Sequence, residues 1–515
     1  MIVPTPVTAI DATPAGIGDH LGGRRVPVDD ALFRRLSDVC AEVSRLDGDR
    51  AEAGRDWWPL AIGWAAAGEV PARPAVVVRP TDSTQVAAVL ALCDAALVPV
   101  TPAGGRSGVC GASVPLFGGV ALDLCGLAGI GAVDADSLVV DLRAGTFGPD
   151  VESGLRDGHG LTLGHWPQSM DLSTVGGWLA CRGAGQYSNR YGKIEDMVLG
   201  LEVVLADGRI VRTGGHAPRS ATGPDLTQLF VGSEGTLGVI TEGRFRVHPV
   251  PPGEGRRAFG FAGFAEGLDA CRRIVRRGAT PAVLRLYDAT ESGRSFDRPD
   301  TNVLIVLDEA DPGLVDATLA VVDDECRTAD PLDVSLVQRW LGHRNDVSAL
   351  APLWRSGIVV DTVEVSARWS ALPGLYRSVL EALHRVEGTL VASSHQSHAY
   401  TDGACLYFTF AGRPPDPLVG DVAVDADDEG PQARRRWVDR YYRRAWDEVT
   451  AATIRAGGAI SHHHGIGINR ARFLPEALGA GFGVLASVKA ALDPHGILNP
   501  GKLGLVGPFG PVPWP

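Results

Sequence analysis

Three consecutive histidines, His462, His463 and His464, stand in the segment AISHHHGIG, residues 459–467. Imidazoles can bind a metal ion, donate to an anionic group or move a proton near neutral pH. A strand over this segment would place His462 and His464 on one face and His463 on the other. Two imidazoles are fewer than the three or four ligands that zinc usually takes, and no cysteine or acidic residue is close in sequence. The pattern favours acid–base or anion-binding chemistry without a metal, with one histidine in a structural role.

Three separate segments rich in glycine, hydroxyl and amide groups could hold an extended ligand that carries phosphate. They are PAGGRSGVCGA (102–112), the segment from Gly164 to Val198, and ATGPDLTQLFVGSEGTLGVIT (221–241). Residues without a Cβ atom let backbone N–H groups come close to a phosphate. The first segment matches neither G-x-G-x-x-G nor a P-loop, and alone it could be a surface turn. Together the three segments indicate a dinucleotide that lies across several loops.

Two polar residues stand in apolar stretches of the second half of the chain. Tyr407 lies in CLYFTF, a strand pattern that turns Leu406 and Phe408 to the opposite face, and composition alone makes it a core tyrosine. Arg355, at the edge of the apolar strand in LWRSGIVVDTVEV, is a surface ion-pair partner if composition alone is considered. Three further residues precede Tyr407 and could line the same cavity: His395, His398 and Tyr400.

The elements that must position these residues follow from hydrophobic periodicity. A strand at 75–80, a helix at 81–96 and a strand at 97–102 form a βαβ unit. Further strands are predicted at 119–124, 130–135, 138–145 and 238–250, with a hairpin around Asp207–Gly208. Residues 258–410 alternate helices and strands, which is typical of an α/β or α+β domain with an antiparallel sheet. We expect a mobile loop at 413–436 and then a helix that leads into the histidines.

The composition limits the classes of function. The chain has 515 residues, enough for two or three domains, and a net charge of 48 − 61 = −13, which disfavours nucleic acid and anionic membrane as partners. Eight cysteines without a CxxC motif indicate reduced thiols and a cytoplasmic location. Neither a signal peptide nor an apolar stretch near the ~20 residues of a membrane span is evident. The expected partner is a small or lipid-like molecule, with a possible homodimer.

Several motifs resemble the flavin-binding family that includes vanillyl-alcohol oxidase and D-lactate dehydrogenase. GSEGTLGVIT (232–241) is typical of the whole family. Its alkyldihydroxyacetonephosphate synthase branch is the most similar, through STVGGW (173–178), YGKIEDM (191–197), TGPD (222–225), GACLYF (403–408) and SHHHGIG (461–467). The resemblance extends from about residue 74 to about residue 502.

The resemblance implies an α+β fold, in which a two-subdomain FAD-binding module of the vanillyl-alcohol oxidase type is joined to an α/β cap domain with an antiparallel sheet. We expect an irregular and helical N-terminal region at 1–73 and an FAD-binding domain at 74–255. The substrate cap domain would cover 256–430, and a C-terminal helical segment at 431–515 would complete the active site.

The resemblance also implies FAD as the cofactor and assigns residues to it. The expected FAD contacts are Pro102, Ala103, Gly104, Gly105, Arg106, Ser107, Gln168, Ser169, Ser173, Thr174, Gly177, Glu234, Gly235, Gly238, Val239 and Ile240. Some relatives attach flavin covalently through a histidine in the first loop, where this chain has Arg106 and Ser107, so we expect non-covalent FAD. The implied catalytic residues are Tyr407, His462, His463, His464 and Arg355, and the resemblance makes Arg355 a clamp for a carboxylate or phosphate.

The implied reaction exchanges the acyl group of an acyl-dihydroxyacetone phosphate for a fatty alcohol, which forms an ether lipid precursor without net redox. In the resembling enzymes the residue matching Tyr407 helps to remove a proton from substrate carbon 1. An alternative is FAD-linked oxidation of a 2-hydroxy acid or another alcohol. A flavin carrier without enzymatic activity is a third interpretation, which the polar groups around Tyr407 disfavour.

Overall fold

The chain folds into two compact units. The computed structural model describes residues 9–215, 217–347, 350–415 and 431–514. As far as they are described, the first unit comprises Met1–Gly185, Gly192–Val250 and His463–Pro515, and the second comprises Gln186–Tyr191 and Pro251–His462. The N-terminal region is therefore part of the first unit. The segment expected at 431–515 is divided between the two units, because its long first helix belongs to the second.

A four-stranded sheet in the first unit contains the predicted βαβ segment. Val76–Arg79 and Val100–Ala103 both pair in parallel with Val120–Asp123, and Glu42–Ser44 adds an antiparallel edge. Helix Ser83–Ala96 joins the two outer parallel strands. It begins after Asp82, whose carboxylate accepts the Gln85 N–H at 2.9 Å and caps the helix.

The first unit also has a five-stranded antiparallel sheet, which contains the predicted hairpin. Its strands, in spatial order, are Ile210–Gly214, Val198–Val204, Val239–Arg246, Val139–Arg143 and Ile130–Asp134. Short pairs join Gly18–Asp19 to Glu69–Val70 and His248–Pro249 to Leu161–Thr162. Gly208, at a φ of 85°, occupies the turn of the hairpin, where a side chain would be strained.

The helices of the first unit cover the sheets and continue into the C-terminal segment. The remaining α-helices are Asp30–Val39, Asp47–Glu52, Pro59–Ala65, Gly148–His159, Val175–Cys181, Ile194–Met197, Leu226–Phe230, Leu474–Leu478 and Gly481–Leu492. Short 3-10 helices are Pro14–Gly16, Leu124–Gly126 and Ala471–Phe473. Among the described residues no single helix is both long and apolar enough to cross a membrane; by length and composition, the bent pair Ala471–Leu478 and Gly481–Leu492 passes that test together.

The second unit is built on a seven-stranded sheet in which every pairing is antiparallel, as predicted for the cap domain. In spatial order its strands are Asp330–Pro331, Gly253–Phe261, Asn302–Ala310, Val283–Tyr287, Thr389–Ala399, Gly403–Gly412 and Val359–Arg368. Its helices are Ser188–Tyr191, Phe264–Arg276, Ala289–Phe296, Pro312–Glu325, Ser335–His343, Leu350–Arg355, Leu372–Arg385 and Pro431–Arg455.

The end of the predicted loop at 413–436 is helical. Helix Pro431–Arg455 begins before Trp437, the position at which the sequence predicted it. Residues 416–430, which form most of the expected loop, lie outside the described residues. Trp437 and Tyr441 are buried, and their rings lie against Gly388 and Gly412, so the helix packs onto the second unit despite its arginine-rich start.

Candidate functional site

The three glycine-rich segments converge in the first unit. A Cβ atom on Gly104 would collide with the Thr174 hydroxyl, and one on Gly105 would collide with the Leu172 carbonyl oxygen. Gly235, at a φ of 71°, lies against the ring of Pro102 in the same way. Only glycine permits the backbone to come this close, so the glycines are explained by the packing of the three segments against one another. We call the loops around Gly104, Gly105, Thr174 and Gly235 the cradle.

Buried polar groups in this cradle lack hydrogen-bond partners within the described chain. Thr174 Oγ1 and Ser233 Oγ are buried without a partner, and both ring nitrogens of the fully buried His165 are in the same condition. Such groups are costly unless a ligand or water pairs with them. Hydroxyls, an imidazole and exposed backbone suit the phosphates and ring edges of FAD, so the residues present fit the expected cofactor.

His165 is a candidate that the sequence prediction missed. Burial lowers its pKa to about 3, so its ring is neutral and offers one donor and one acceptor. Its ring packs against Trp178, with centroids 4.7 Å apart. The only sequence signal is its place just before Gln168 and Ser169 in GHWPQS, inside the second glycine-rich segment.

The other predicted cofactor residues have varied surroundings. Ser173 uses its hydroxyl within the chain, donating to the Ser169 carbonyl at 2.8 Å and accepting from Trp178 Nε1 at 2.7 Å. The Arg106 guanidinium is buried, 3.9 Å from the Asp123 carboxylate, on a backbone with a φ of 53°. Four residues belong to the protein surface or the sheet core: Gln168 is exposed, Gly238 packs against Val203, and Val239 and Ile240 are buried in the strand.

The histidine triplet is not a strand, so the predicted alternation of its side chains is wrong. Residues 462–464 form bends, and each histidine is partly exposed. In the second unit, the buried Glu364 carboxylate accepts the Ser461 hydroxyl at 2.7 Å and the His462 N–H at 3.1 Å. His462 Nε2 lies 2.6 Å from the Tyr400 hydroxyl, which orients this imidazole.

His463 and His464 begin the last segment of the first unit, with ring centroids 4.6 Å apart. Beyond them the loop is fixed to the first glycine-rich segment, because the N–H groups of Ile468 and Asn469 donate to the Cys110 carbonyl at 2.8 and 3.1 Å. The Glu234 carboxylate also binds this loop, through the N–H groups of Ile466 and Gly467.

Tyr407 lies on strand Gly403–Gly412 with the orientation that the sequence predicted. Leu406 and Phe408 are fully buried on the other face, whereas Tyr407 is partly exposed. Its hydroxyl is 3.0 Å from Thr362 Oγ1 and its ring stacks on His395 with centroids 5.0 Å apart. Burial raises the pKa of Tyr407, so the phenol keeps its proton at neutral pH and is a hydrogen-bond donor.

Arg285, which the sequence prediction missed, is a cation that contacts His395, the histidine stacked on Tyr407. Its guanidinium is buried, lies 2.6 Å from His395 Nε2 and packs over Trp340 at 5.4 Å from the ring centroid. His395 Nδ1 is 3.1 Å from Glu291. The signal was an arginine inside the apolar strand Val283–Tyr287, a position that an unpartnered charge rarely takes.

Arg355 does not lie at the edge of a strand. It is the last residue of helix Leu350–Arg355 and is exposed, while the apolar strand begins only at Val359. The two residues before it in sequence, Leu353 and Trp354, pack toward the protein, so the helix turns Arg355 to the solvent. Its expected role as a clamp remains a prediction.

The reason for excluding a metal at the triplet is wrong. A cysteine and a further histidine, distant in sequence, approach His462 in the second unit: ligand atoms of His398, Cys405 and His462 lie within 4.8 Å of one another. The ring centroids of His398 and His462 are 4.7 Å apart. The antiparallel pairing of Thr389–Ala399 with Gly403–Gly412 places His398 opposite Cys405, which spacing along the chain could not reveal.

Comparisons with known proteins agree with this organisation. Residues 74–214 match the FAD binding domain family, and residues 256–503 match the C-terminal domain of FAD linked oxidases. The Uncharacterized FAD-linked oxidoreductase YgcU of Escherichia coli K12 is 30% identical over 447 residues, which cover 84% of this chain and 89% of that protein.

Two similar relatives have different activities in their names. Alkyldihydroxyacetonephosphate synthase of Dictyostelium discoideum is 28% identical over 85% of this chain and 74% of its own length. Glycolate oxidase subunit GlcD of Bacillus subtilis is 29% identical over 90% of this chain and 96% of its own length. A solved alkyldihydroxyacetonephosphate synthase structure, 24% identical, superposes with a TM-score of 0.76 over 97% of this chain and 89% of that one, which confirms the expected fold.

Proposed function

The chain belongs to the family of FAD-linked oxidoreductases, and on that premise we propose that it exchanges the acyl group of an acyl-dihydroxyacetone phosphate for a fatty alcohol. The observation that carries the proposal is the protonated Tyr407 phenol, which stacks on a histidine that contacts a buried arginine. An acyl exchange is helped by a hydrogen-bond donor to the departing carboxylate, which leaves as an anion, and by a cation for the phosphate, and this cluster offers both.

The reaction is balanced without an external oxidant. Carbon 1 loses a proton, its ester C–O bond breaks and the fatty acid leaves as a carboxylate, so that this proton and the carboxylate are the two products released. The alcohol oxygen forms the ether bond, and the alcohol proton replaces the proton lost from carbon 1. FAD, when bound, supplies an electron-accepting ring system for the substrate carbon. The chain itself would bind the phosphate through Arg285, donate to a substrate oxygen from Tyr407, and accept the carbon-1 proton at the histidine triplet.

Arg285 suits the phosphate for a physical reason. A guanidinium presents several fixed donors to an oxyanion, and partial burial strengthens each charge-assisted hydrogen bond. His395 occupies one donor direction, since its Nε2 lies 2.6 Å from Arg285 Nη2. Burial lowers the pKa of His395, so the imidazole is neutral there and does not repel the guanidinium.

A second function is oxidation of a 2-hydroxy acid. The observation that favours it is the length match: the chain covers 96% of the glycolate oxidase subunit but only 74% of the synthase. A hydroxy acid also carries an anionic group that Arg285 could bind. In this reaction the alcohol loses two electrons and two protons, FAD accepts the electrons, and a separate electron acceptor must reoxidise it.

An anaerobic experiment separates the two. The FAD-loaded protein is mixed with acyl-dihydroxyacetone phosphate and a long-chain alcohol, or with glycolate or D-lactate, and the flavin spectrum and the products are followed. Ether product with the flavin still oxidised supports the exchange. Bleaching with formation of a keto acid supports the oxidation. If none of these substrates gives either result, both functions are overturned.

A further inference from the structure

Glu234 has both carboxylate oxygens engaged by the loop that follows the histidine triplet. Oε1 accepts the Ile466 N–H at 2.6 Å and Oε2 accepts the Gly467 N–H at 2.8 Å. The residue is 5% exposed, so these bonds form away from water. Two amides on one buried carboxylate make charge-assisted hydrogen bonds, which are shorter and stronger than neutral ones.

The loop has the residues that this contact requires. Gly465 has a φ of 80° and Gly467 a φ of 54°, both in the left-handed region. A Cβ on Gly465 would collide with Glu234 Oε1, and one on Gly467 would collide with the Cys110 carbonyl. The glycines of HHHGIG are thus explained by close approach to the carboxylate and to the first glycine-rich segment.

Glu234 is itself held on every side within the first unit. Its backbone has a φ of 50°, its N–H donates to the Ala180 carbonyl at 3.0 Å, and its carbonyl accepts Asn499 Nδ2 at 2.7 Å. Burial raises the pKa of Glu234, while the two amides and the charges of Lys502 and Arg470 oppose that change. The carboxylate is therefore a fixed anchor for the loop rather than a mobile acid.

We propose that Glu234 is a positioning residue: its carboxylate fixes the backbone at 465–467 and so sets the direction in which His464 and His463 leave the loop. This rests on the proposed function, in which the triplet accepts a proton from the substrate. Glu234 contacts the loop backbone through both oxygens, so its effect on the reaction passes through the histidines. The expected contact of Glu234 with FAD remains a separate prediction.

The test compares three variants with the FAD-loaded wild type. Glu234→Gln keeps the size of the side chain but turns an NH2 group toward one of the two amides. Gly465→Ala disturbs the same contact from the loop side, and it serves if the first variant does not fold. Glu152→Gln is the matched control, because this buried carboxylate accepts the Leu163 N–H at 3.0 Å and the Thr162 hydroxyl at 2.7 Å elsewhere in the first unit.

Hydrogen exchange of the amides is the readout that does not depend on any substrate. In Glu234→Gln the amides of Ile466 and Gly467 should exchange about 10-fold faster or more, while the His462 amide, which Glu364 holds, should be unchanged. FAD content should match that of the wild type. Unchanged exchange at 466 and 467, or loss of FAD with exchange otherwise normal, would overturn the proposal.

The second measurement is the turnover of the wild type and the variants, with whichever substrate the wild type converts. Glu234→Gln should lower kcat about 10- to 100-fold with KM nearly constant, since the histidines are misdirected while the substrate-binding residues are intact. Glu152→Gln should retain the wild-type kcat. A wild-type kcat in Glu234→Gln despite faster exchange would overturn the positioning role. If no substrate is converted at all, the proposed function fails while the exchange result still decides the structural claim.

Discussion

Tyr407 combines a protonated phenol with partners that fix its direction. Thr362 is within hydrogen-bond distance of its hydroxyl, and the His395 ring packs on its face. Because burial raises the pKa of Tyr407, the hydroxyl serves as a donor at neutral pH unless a bound ligand changes its surroundings. The direction of this shift favours a hydrogen-bond donor over the proton-removing role that the family resemblance implied for this position.

Replacement of Tyr407 by phenylalanine tests that role. Tyr407→Phe should lower turnover by roughly 10²–10⁴, the usual contribution of a positioned acid–base group, with FAD content unchanged. The matched control is Tyr441→Phe, which removes a similar hydrogen bond to Thr389 Oγ1, at 3.1 Å, from the same unit. Each variant should lose only about 1 kcal/mol of stability. Near-normal turnover in Tyr407→Phe would reduce the residue to a core tyrosine.

A double variant tests whether Tyr407 and the triplet act on one substrate. His462→Ala should also lower turnover. Its effect should be less than additive with that of Tyr407→Phe, because two groups that act together lose their shared contribution when either one is removed, so the second substitution adds little. Steady-state kinetics of the two single variants and the double variant give the coupling. Fully additive losses would separate the histidine from the tyrosine.

His165 makes stability depend on pH in a defined direction. Burial lowers its pKa to about 3 in the folded protein, against 6.5 for an exposed imidazole, so the unfolded chain binds more protons between those values. Stability should therefore fall as pH falls through this window. Wild type should lose about 1.4 kcal/mol more per pH unit between pH 6 and 4 than His165→Gln, measured by urea unfolding without added FAD. Equal slopes for the two proteins across that window would contradict the assignment.

Single residues differ in how far sequence reveals them. Strand alternation predicts the face of Tyr407 because period 2 is a property of one strand. It cannot predict that Arg285 meets His395, since that pairing depends on the register of strands far apart in sequence. The approach of Cys405 to His398 was missed for another reason: the two lie on consecutive paired strands, and an irregularity in the register between Gln396 and His398 sets which residues face each other.

Glycines within one loop divide into positions that are packed and positions that are open. In the segment 102–112, Gly105 is pressed against the Leu172 carbonyl, whereas a Cβ on Gly108 would meet no atom within 4 Å. The cradle is therefore tightly packed at Gly105, where the loop contacts the second glycine-rich segment, and open at Gly108. The crowded positions are the ones that set the shape offered to a phosphate.

This difference gives a paired prediction for cofactor binding. Gly105→Ala should displace the loop and reduce copurified FAD to less than about a tenth of the wild-type content, because the obstacle is backbone and cannot rotate away. Gly108→Ala should retain it. FAD per chain is measured by absorbance after gel filtration, and equal retention by both variants would show that the cradle does not bind the cofactor.

At the level of elements, local patterns predicted most strands of the first unit and the antiparallel sheet of the second. The histidine triplet is an exception. A strand over it would have alternated its side chains, but Gly465 and Gly467 have positive φ angles and buried carboxylates take the backbone N–H groups that a strand would use. Competition between side-chain acceptors and a β-ladder is invisible in hydrophobic periodicity.

The whole molecule carries FAD without an obvious covalent attachment point in the first loop. Arg106 is buried against Asp123, and neither it nor Ser107 supplies the imidazole that covalent relatives use. We expect a yellow protein from which acid precipitation releases all flavin into the supernatant as FAD. Flavin retained in the washed, denatured pellet would contradict non-covalent binding. A colourless protein that cannot be reconstituted would remove the cofactor.

The order of segments along the chain has a consequence for biosynthesis. The last segment of the first unit follows the whole of the second unit. It supplies Asn499, which donates to the Ala112 carbonyl, and the fully buried Lys502, which donates to the Val114 carbonyl at 2.8 Å. A ribosome must therefore synthesise the whole second unit before these contacts can form, and until then the early glycine-rich loop lacks its C-terminal partners. We expect nascent chains that stop before residue 499 to be more open to proteases at this loop and to capture flavin poorly.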